Sequence, residues 1–285
     1  MKKFLNILTV STLIPLFSCA QYSKSSKIDV GIMVGGSYYI GDLNSKQFQF
    51  TKPAGGIVFR YCFNKRAAIR ANLLMGSITA SDSYSDSQWQ RDRNLDFKSS
   101  ITELSTQFEF NFLNYKIGGN DDQNFSPYIF MGLAGFHFNP QGQTASGQWV
   151  ALQPLSTEGE GLPGGSLSHQ YKLTQVSIPF GVGFKTCFSK NMCFGFEWGM
   201  RKTFTDYLDD VSTTYYSPAI LTNQIGALSA AMADKRFGKE PTVSDVGTQR
   251  GNPGNKDWYS FFGIVLTIRI NKSNSCAGAL KMGGG

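Results

Sequence analysis

The sequence predicts an all-β fold, an eight-stranded antiparallel transmembrane β-barrel with long extracellular loops and short periplasmic turns. Three observations predict it. Stretches such as "VSIPFGVGFKTCF", "GIVFRYCF", "CFGFEWGMR" and "ITELSTQFEFNF" alternate apolar and other residues with the period of two that is typical of strands, and eight strands can be counted along the chain. One face of these stretches is rich in aromatic side chains and the other is small or charged, as expected for lipid outside and a polar lumen inside. The links between the stretches alternate between short and long.

The predicted strands account for most of the chain. They are Ile28–Gly41, Pro53–Phe63, Ala67–Ser77, Asp96–Leu113, Ser126–Asn139, Tyr171–Phe188, Met192–Thr203 and Asp257–Ile270. Several exceed the roughly 9–11 residues that a tilted strand needs to cross a bilayer, so we expect them to project beyond it. In the fifth strand, "SPYIFMGLAGFHF", both faces are apolar, and its outward side stays open.

The aromatic face distinguishes this fold from the alternative, a soluble β-sandwich. In "CFGFEWGMR", Phe194, Phe196 and Trp198 share one face opposite Gly195 and Glu197. A sandwich would instead place Val and Leu on its buried face and Lys, Thr and Ser on its solvated face. A charge on the lipid face near mid-membrane costs about 2–4 kcal/mol, so such a pattern strongly fixes the register of the strands.

The alternation of the links predicts the orientation. Asn64–Arg66 and Ser189–Asn191 are tight turns and Asn114–Phe125 is moderate, whereas the other links are long. With the amino end in the periplasm, all three shorter links fall on the periplasmic side, and both termini are periplasmic. The similar strings "GIVFRYCFNK" and "GVGFKTCFSK" each end a strand at such a turn, so we interpret their repetition as architectural.

The two ends of the chain differ in composition from the barrel, predicted at residues 21–270. Residues 1–20 combine Lys2 and Lys3, an apolar run and a small-residue exit, which predicts a secretory signal peptide. Lipidation at Cys19 is the alternative. Residues 271–285 lack periodicity and end in glycines, which predicts a flexible periplasmic tail.

Charge and chemistry argue against several function classes. Removal of the signal peptide lowers the formal charge from +7 to +5. The sequence contains no compact basic run with interleaved aromatics, so we do not predict nucleic-acid binding. The cysteine and histidine spacing predicts no metal site, and we expect no cofactor and no small-molecule substrate. Neither His137 nor His169 has a recognisable nucleophile elbow, so we predict that the protein is not an enzyme. An outer-membrane hydrolase or acyltransferase would need His169.

The inward positions of the strands collect charges. They are Arg60, Arg70, Lys185, Arg201 and Arg269 with Glu103, Glu109 and Glu197. Eight strands leave an interior just wide enough for side chains to fill, and buried charges must be paired. We therefore predict a salt-bridged, closed lumen, with a conducting pore as the alternative.

Cys187 and Cys193 flank the Ser189–Asn191 turn symmetrically and both project inward. Opposed cross-strand β-carbons are roughly 4.5–5.5 Å apart, and an exported protein meets an oxidising compartment. We predict a disulfide between them; the alternative is two small inward residues. Cys62 and Cys276 are expected to be unpaired, or joined at the periplasmic end.

Strings along the mature chain resemble one known family. They are "LQPLSTEGEGL" (Leu152–Leu162), "FTDYLDDVSTTY" (Phe204–Tyr215), "QRGNPGNKDWYSFFG" (Gln249–Gly263), "FSPYIFMGLAGFHFNP" (Phe125–Pro140), "GGSYYIGDL" and "LSTQFEFNFL". In this order they resemble the PorG family, outer-membrane β-barrel subunits of the type IX secretion system. The family shows "TEGQG" where this chain has "TEGEG". The loop residues that match are Thr157, Glu158, Gly159, Asp206, Tyr207, Asp209, Asp210, Arg250, Gly251 and Asn252.

The resemblance implies a role in exporting cargo across the outer membrane. Proteins of this family associate with a periplasmic ring, built from a lipoprotein and its partner subunit, and do not serve as the wide pore. Outer-membrane lipid is the other expected partner. The alternative is a freestanding small barrel with a structural or adhesive role.

Basic residues lie where a periplasmic partner would make contact. Lys65, Arg66 and Lys190 fall in the tight turns, and further lysines lie near both termini. We interpret them as a rim that faces an acidic partner surface. The alternative is that they cap the turns or lie near lipid phosphates.

The acidic string "DYLDDVS" belongs to the longest link. Its aspartates could bind calcium, but their spacing does not match the twelve-residue calcium loop. We favour a structural role, in which the Phe204–Lys256 link is held against Thr157–Gly161. "NQIGALSAAMADKRF" in the same link predicts a short helix over the barrel mouth.

Overall fold

The computed structural model describes residues 28–114, 124–189, 191–236 and 245–270. Its strands are β1 Ile28–Ile40, β2 Lys52–Cys62, β3 Ala67–Ser81, β4 Asp96–Asn111, β5 Phe125–Gln143, β6 Trp149–Ala151, β7 Thr174–Cys187, β8 Met192–Thr203 and β9 Trp258–Arg269. Its α-helices are α1 Gln88–Arg93, α2 Pro218–Gln224 and α3 Ala227–Ala233. No helix among these residues is long and apolar enough to cross a membrane. The predicted signal peptide, Cys19, Cys276 and the tail lie outside the described residues.

Eight of the strands close into an antiparallel barrel. Around the barrel they follow the order β1, β2, β3, β4, β5, β7, β8 and β9, and β9 pairs with β1. The pairing of β4 with β5, from Lys98↔Gln141 to Asn111↔Tyr128, completes the ring, and β6 pairs with β5 alone. The predicted eight-stranded antiparallel barrel is confirmed.

The links divide the barrel into two ends. Residues 63–66, 112–124 and 188–191 connect strands at one end, called here the turn end. Residues 41–51, 82–95, 144–173 and 204–257 connect them at the other, the loop end, and together form what we call the loop cap. At the turn end, the Asn64 side-chain oxygen accepts from the amides of Arg66 and Ala67, both at 2.8 Å, which closes the tight β2–β3 turn.

The strands differ from prediction mainly at the loop end. β3 reaches Ser81 because its ladder with β4 continues to Asp96, and β5 reaches Gln143 because it pairs with β4 as far as Gln141 and with β6 as far as Gln143. β7 begins at Thr174 and not at Tyr171. The Tyr171 hydroxyl turns into the loop cap and donates to Asp210 Oδ1 at 2.6 Å.

The faces of β5, which the sequence leaves open, are resolved by burial. Tyr128, Phe130 and Phe136 are buried inside the barrel, whereas Met131 and Leu133 are exposed on its outer wall. The inward rings need space on the facing strands. A Cβ at Gly181 or Gly199 would lie 2.6 or 2.7 Å from the Phe130 ring, so only glycine fits there.

The loop-end half of the lumen is apolar and departs from the polar lumen that the sequence predicts. Aromatic and aliphatic side chains fill it: Tyr39, Ile78, Phe97, Ile101, Phe136, Phe138, Tyr259, Phe261 and Val265. The Phe136 and Tyr259 ring centroids are 5.0 Å apart, and Tyr39 packs edge-on against Phe97. Period-two alternation distinguishes the two faces of a strand when one is polar. Where the interior is apolar, as the outer belt is, both faces have apolar residues and the pattern does not tell which one faces inward.

Two short helices lie in the longest link. The Ser217 side chain caps α2, and Ser229 of α3 donates to the Leu155 carbonyl at 2.5 Å. Met232 of α3 packs into the same apolar cluster as Leu152 and Leu208. The chain therefore forms helix where the Ala- and Leu-rich string predicts it, and α3 joins the loop cap to the barrel interior.

Candidate functional site

The outer wall exposes apolar side chains on every barrel strand. Examples, two for each strand in order around the barrel, are Ile32, Val34, Ile57, Phe59, Leu73, Met75, Leu104, Phe108, Ile129, Met131, Val182, Phe184, Phe194, Phe196, Ile264 and Leu266. Leu104 is 65% exposed and Leu133 72%. A closed barrel leaves no unpaired strand edge, so it can cross hydrocarbon. This apolar belt around a closed barrel is the architecture of outer-membrane proteins, and the chain has it.

An aromatic cluster marks the upper edge of the belt. Tyr38 of β1 lies on the outer wall but is fully covered, because Phe48 of the following link folds back over it with ring centroids 4.9 Å apart. Trp198 Nε1 donates to the Tyr38 hydroxyl at 2.9 Å. Amphipathic rings of this kind are enriched where a membrane meets water.

Inside the turn-end half, Glu109 of β4 is the centre of an ion-pair network. Its carboxylate lies 3.0 Å from Arg60 Nε and 3.6 Å from Arg70 Nη1, and it also pairs with Lys185. All four side chains are at most 4% exposed. Three cations from three strands therefore share one buried carboxylate, which offsets the cost of removing their charges from water.

Two further pairs cross the lumen. Arg70 of β3 donates to Glu197 of β8 at 2.5 Å, across the full diameter of the barrel, and Tyr128 donates to the same carboxylate at 2.5 Å. Arg201 of β8 lies 2.9 Å from Glu103 of β4. These contacts fill the middle of the barrel with charged side chains that are held from opposite walls.

The eighth predicted charge lies at the turn-end mouth. Arg269 of β9 pairs with Asp29 of β1 at 2.8 Å. Asp29 is fully buried and also lies 3.6 Å from the Cys62 sulfur and 3.9 Å from Arg60 Nη1. Asp29 is not among the inward charges predicted from the sequence. An isolated acid within the apolar "KIDVGIMV" was the available signal.

Cys187 and Cys193 are paired in the register of β7 and β8 and form a disulfide inside the turn end. Among the described cysteines, Cys62 is free. The disulfide spans the hairpin next to the predicted basic rim. In that rim, Lys65 and Arg66 are exposed, Arg66 Nε donates to Asn114 Oδ1 at 3.0 Å, and Lys190 lies outside the described residues.

Within the loop cap, Glu158 connects three segments. Its carboxylate accepts from the amides of Ser212 and Thr213, both at 2.9 Å, and from Arg250 Nη1 at 2.9 Å. Arg250 is buried and also donates to the carbonyls of Asp210 and Ala233. One carboxylate and one guanidinium therefore join strings that are about ninety residues apart.

The aspartates of "DYLDDVS" are bound by protein groups. Asp210 Oδ2 accepts from Thr157 Oγ1 at 2.5 Å, Asp209 Oδ2 from the Tyr39 hydroxyl at 2.5 Å, and Asp206 from Ser212 Oγ at 2.7 Å. Within the described ranges, no group of three or more acidic, His or Cys side chains is arranged to hold a metal ion. The Asp210 contact joins the longest link to Thr157, the Asp209 contact joins it to β1, and the Asp206 contact lies within the link.

The remaining family-string residues pack into the same cap. Tyr207 donates to Ser166 Oγ at 3.0 Å, and Gly159 has a positive φ of 75° beneath the Tyr216 ring. Asn252 donates its amide to Asp42 at 2.7 Å. A Cβ at Gly251 would lie 2.6 Å from the same Asp42 oxygen, so the backbone approach needs glycine.

Sequence reasoning missed a second arginine of the cap. Arg93 donates to Asp82 through Nε and Nη2, both at 2.7 Å, and to the Arg250 carbonyl at 2.5 Å. Asp257, fully buried, accepts from Tyr39 and from the Leu208 amide at 2.9 Å. The only signal in the sequence was an unusual density of acids in links that predict no binding motif.

Carboxylates outnumber cations in the loop cap, and burial dominates their ionisation. Burial raises the pKa of Asp42, Asp206 and Asp210 each to about 6. Burial, with Asp210 and Glu158 nearby, raises the pKa of Glu160 to about 8. Glu160 Oε1 and Asp206 Oδ1 are buried without a hydrogen-bond partner among the described residues. The closed cap therefore favours a protonated Glu160 near neutral pH, whereas Asp42, Asp206 and Asp210 become mainly protonated only below about pH 6.

The two histidines are exposed and lie in local contacts. His137 Nδ1 is 3.1 Å from Thr174 Oγ1 on the outer wall of the barrel, and His169 Nδ1 is 3.0 Å from Ser168 Oγ in a cap link. Neither contact includes a carboxylate that would orient the imidazole.

Comparison with known proteins gives a partial family match and distant structural likenesses. Residues 7–148 match the family model DUF6089, a domain of unknown function. No curated protein matches the chain. The fold is similar to Neisserial surface protein A (TM-score 0.40, 9% identity, covering 87% of this chain and 100% of that one). It is also similar to the attachment invasion locus protein Ail of Yersinia pestis, solved with the heparin analogue sucrose octasulfate (0.38, 10%, 86% and 98%). A third similar structure is the N-terminal β-barrel domain of Pseudomonas aeruginosa OprF (0.34, 11%, 86% and 100%).

Proposed function

We propose that the chain is a non-enzymatic outer-membrane subunit of the type IX secretion system, with a closed lumen and both termini in the periplasm. In this role it associates with the periplasmic ring lipoprotein and its partner subunit and supports cargo export. The observation that carries the proposal is the convergence of the strings that resemble the PorG family. Thr157, Glu158, Asp210 and Arg250, which come from three of these strings, meet in one buried hydrogen-bonded unit of the loop cap.

The lumen contacts favour an anchoring role over a conducting one. The pairs Arg70–Glu197 and Arg201–Glu103 join opposite walls, and aromatic rings fill the space above them. An eight-stranded barrel has an interior that its own side chains fill, so a folded cargo protein needs another route. The barrel would then fix its partners in the membrane while cargo passes elsewhere.

The turn end supplies a surface for the ring. Lys65 and Arg66 are exposed there, beside a hairpin that the Cys187–Cys193 disulfide holds in place. Their positive charge suits an acidic face of a periplasmic partner, and electrostatic complementarity of this kind mainly sets specificity and association rate.

A membrane pull-down with mass spectrometry tests the proposal. We expect ring subunits to co-purify with the wild-type protein and several-fold less with the Lys65→Glu/Arg66→Glu double variant. A Lys172→Glu/Lys256→Glu variant at the loop end is the matched control and should recover the ring normally. Absence of ring subunits from the wild-type sample, with normal cargo export in cells that lack the gene, would refute the secretion role.

A freestanding barrel with an adhesive role is the second candidate. It is favoured by exposed apolar side chains at the loop end: Ile220, Ile225 and Leu228 on or beside α2 and α3, and Tyr84 and Trp89 on another link. An Ile225→Ser/Leu228→Ser variant should then lose surface adhesion without changing the yield of folded barrel. Unchanged adhesion would exclude this patch.

A further inference from the structure

A cleft opens on the outer wall of the barrel just above the apolar belt. Its volume is about 340 Å³. It lies where β3, β4 and β5 rise toward the loop end, beside β6. The residues that line it are Lys52, Ser77, Ile78, Thr79, Lys98, Ser99, Ser100, Gln141 and Trp149.

The register places Ser77, Thr79, Lys98, Ser100 and Gln141 outside the barrel, and Lys52 is exposed at the first position of β2, on the rim. Thr79 pairs with Lys98, and Lys98 pairs with Gln141, so the three share one face. The intervening residues Ile78 and Ser99 are 0% and 2% exposed and point into the barrel. The cleft is therefore open to the membrane edge and not to the lumen.

Apolar wall lies directly beneath the cleft. Met75, two residues before Ser77 on the same face of β3, is 55% exposed. Leu104, four residues after Ser100 on the same face of β4, is 65% exposed. A molecule with a polar head in the cleft would lay an apolar chain along this wall.

The cleft is positively charged. Lys98 Nζ lies 4.2 Å from the centroid of the Trp149 ring, which holds the ammonium group at the wall. Within the part of the chain that the structure describes, neither Lys52 nor Lys98 forms an ion pair; the neighbouring acid, Asp96, pairs with Lys235. No hydrogen bond occupies the Ser77 or Ser100 hydroxyl among those same residues. Uncompensated ammonium groups beside free hydroxyls are suited to a phosphate.

We propose that this cleft binds the phosphate of a membrane-lipid headgroup, with the lipid chains packed on Met75 and Leu104. An interfacial Trp beside lysines that reach up from apolar wall is the arrangement expected at headgroup depth. In the proposed orientation the lipid belongs to the outer leaflet, which contains phosphorylated glycolipid. The inference goes beyond the proposed function and applies equally to a secretion subunit and to a freestanding barrel.

A second interfacial lysine supplies the matched control. Lys202 of β8 is exposed on the outer wall at the loop end, 6.0 Å from the Trp258 ring centroid. It has the same charge and the same kind of aromatic neighbour as Lys98. It does not line the cleft.

Native mass spectrometry of the full chain in mild detergent tests the site. The probes are bisphosphorylated lipid A, the same lipid after enzymatic dephosphorylation, and inorganic phosphate. We expect the wild type to prefer the phosphorylated lipid, and the Lys52→Gln/Lys98→Gln variant to bind it about thirtyfold more weakly, since each lysine near a lipid phosphate contributes about fivefold in affinity. Lys202→Gln should bind like the wild type.

Four results would overturn the proposal. They are equal binding of the dephosphorylated lipid by the wild type, unchanged binding by the double variant, an equal loss in Lys202→Gln, and binding of inorganic phosphate as tight as that of the lipid. The first and last comparisons use only the wild-type protein and do not depend on the folding of a variant. Heat-modifiable electrophoretic mobility reports whether each variant is folded.

Discussion

Glu109 shows how single residues determine what the barrel interior can contain. It is 0% exposed and is shared by Arg60, Arg70 and Lys185. A buried cation without a carboxylate is costly, so the arginines and the lysine depend on one side chain. The lumen is thereby specified by charge pairing as much as by shape.

Replacing that carboxylate should destabilise the barrel. For Glu109→Gln we expect a loss of about 3–5 kcal/mol in the free energy of unfolding, because removing one partner of a buried pair leaves the other charges uncompensated. Urea-induced unfolding in lipid vesicles, followed by tryptophan fluorescence, measures it.

The surface pair Lys46–Asp86 gives the control for this measurement. Both side chains are at least half exposed. Asp86→Asn should therefore unfold at the same urea concentration as the wild type. Equal stability of Glu109→Gln and Asp86→Asn would show that the lumen network is not a source of stability.

The inward charges could be predicted one residue at a time. Arg60, Lys185 and Glu197 each alternate with apolar neighbours, and a period of two places them inside. Their partners could not be predicted. The pairing of each carboxylate with a cation depends on the order and the stagger of the strands around the closed barrel. Neither can be predicted from the alternation within a single strand.

At the scale of elements, the loop cap behaves as a single unit held by buried carboxyl groups. Asp42, Glu160, Asp206 and Asp210 come from three different links, and burial raises the pKa of each. A carboxyl group with a raised pKa binds its proton more tightly when the cap is closed than when it is open. Acidity should therefore favour the closed cap.

The stability of the cap should fall as pH rises. The contribution of these groups is fully present below about pH 4, the usual carboxyl pKa, and is lost as pH rises through about 6 for Asp210 and about 8 for Glu160. We expect amide hydrogen-exchange protection at residues 206–213, corrected for intrinsic rates, to decrease between pH 4 and pH 8.

Glu160→Gln provides the matched comparison for the pH series. It removes the carboxyl group whose pKa is raised to about 8, so the decrease in protection between pH 6 and pH 8 should be smaller than in the wild type while the decrease between pH 4 and pH 6 remains. Protection that rises with pH in the wild type would contradict the account.

The contacts of the cap lay beyond prediction from sequence for a physical reason. The Glu158–Arg250 pair and the Thr157–Asp210 bond join links with no periodicity, so no pattern places their side chains. The resemblance to the family identifies these residues as parts of matching sequence strings, but it does not show which of them are in contact. The aspartates could be expected to hold the longest link, whereas Arg93 and Asp257 became apparent only from the folded arrangement.

At the scale of the whole molecule, the alternation of side chains along each strand determines both the interior of the barrel and its lipid-facing surface. Each strand turns one set of residues to the interior and the next set to the apolar belt, so a slip of one residue would place ion pairs in lipid. Ile129 and His137 lie on the same outward face of β5, the first within the belt and the second near its loop-end edge.

A lysine scan along this face of β5 should therefore depend on depth. We expect Ile129→Lys to cost about 2–4 kcal/mol in the free energy of unfolding and His137→Lys about 0–1 kcal/mol, because a charge is tolerated near headgroups but not in hydrocarbon. The same unfolding measurement in vesicles compares them. Equal costs at the two positions would mean that the belt does not lie in a membrane.

The salt link between Asp29 and Arg269 unites the earliest and the latest segment of the barrel to be synthesised. A chain that ends before Trp258 lacks β9 and leaves β1 and β8 each with one unpaired edge. The backbone amides and carbonyls of those edges cannot form hydrogen bonds in hydrocarbon. A chain truncated before β9 is therefore expected to be unstable in a bilayer.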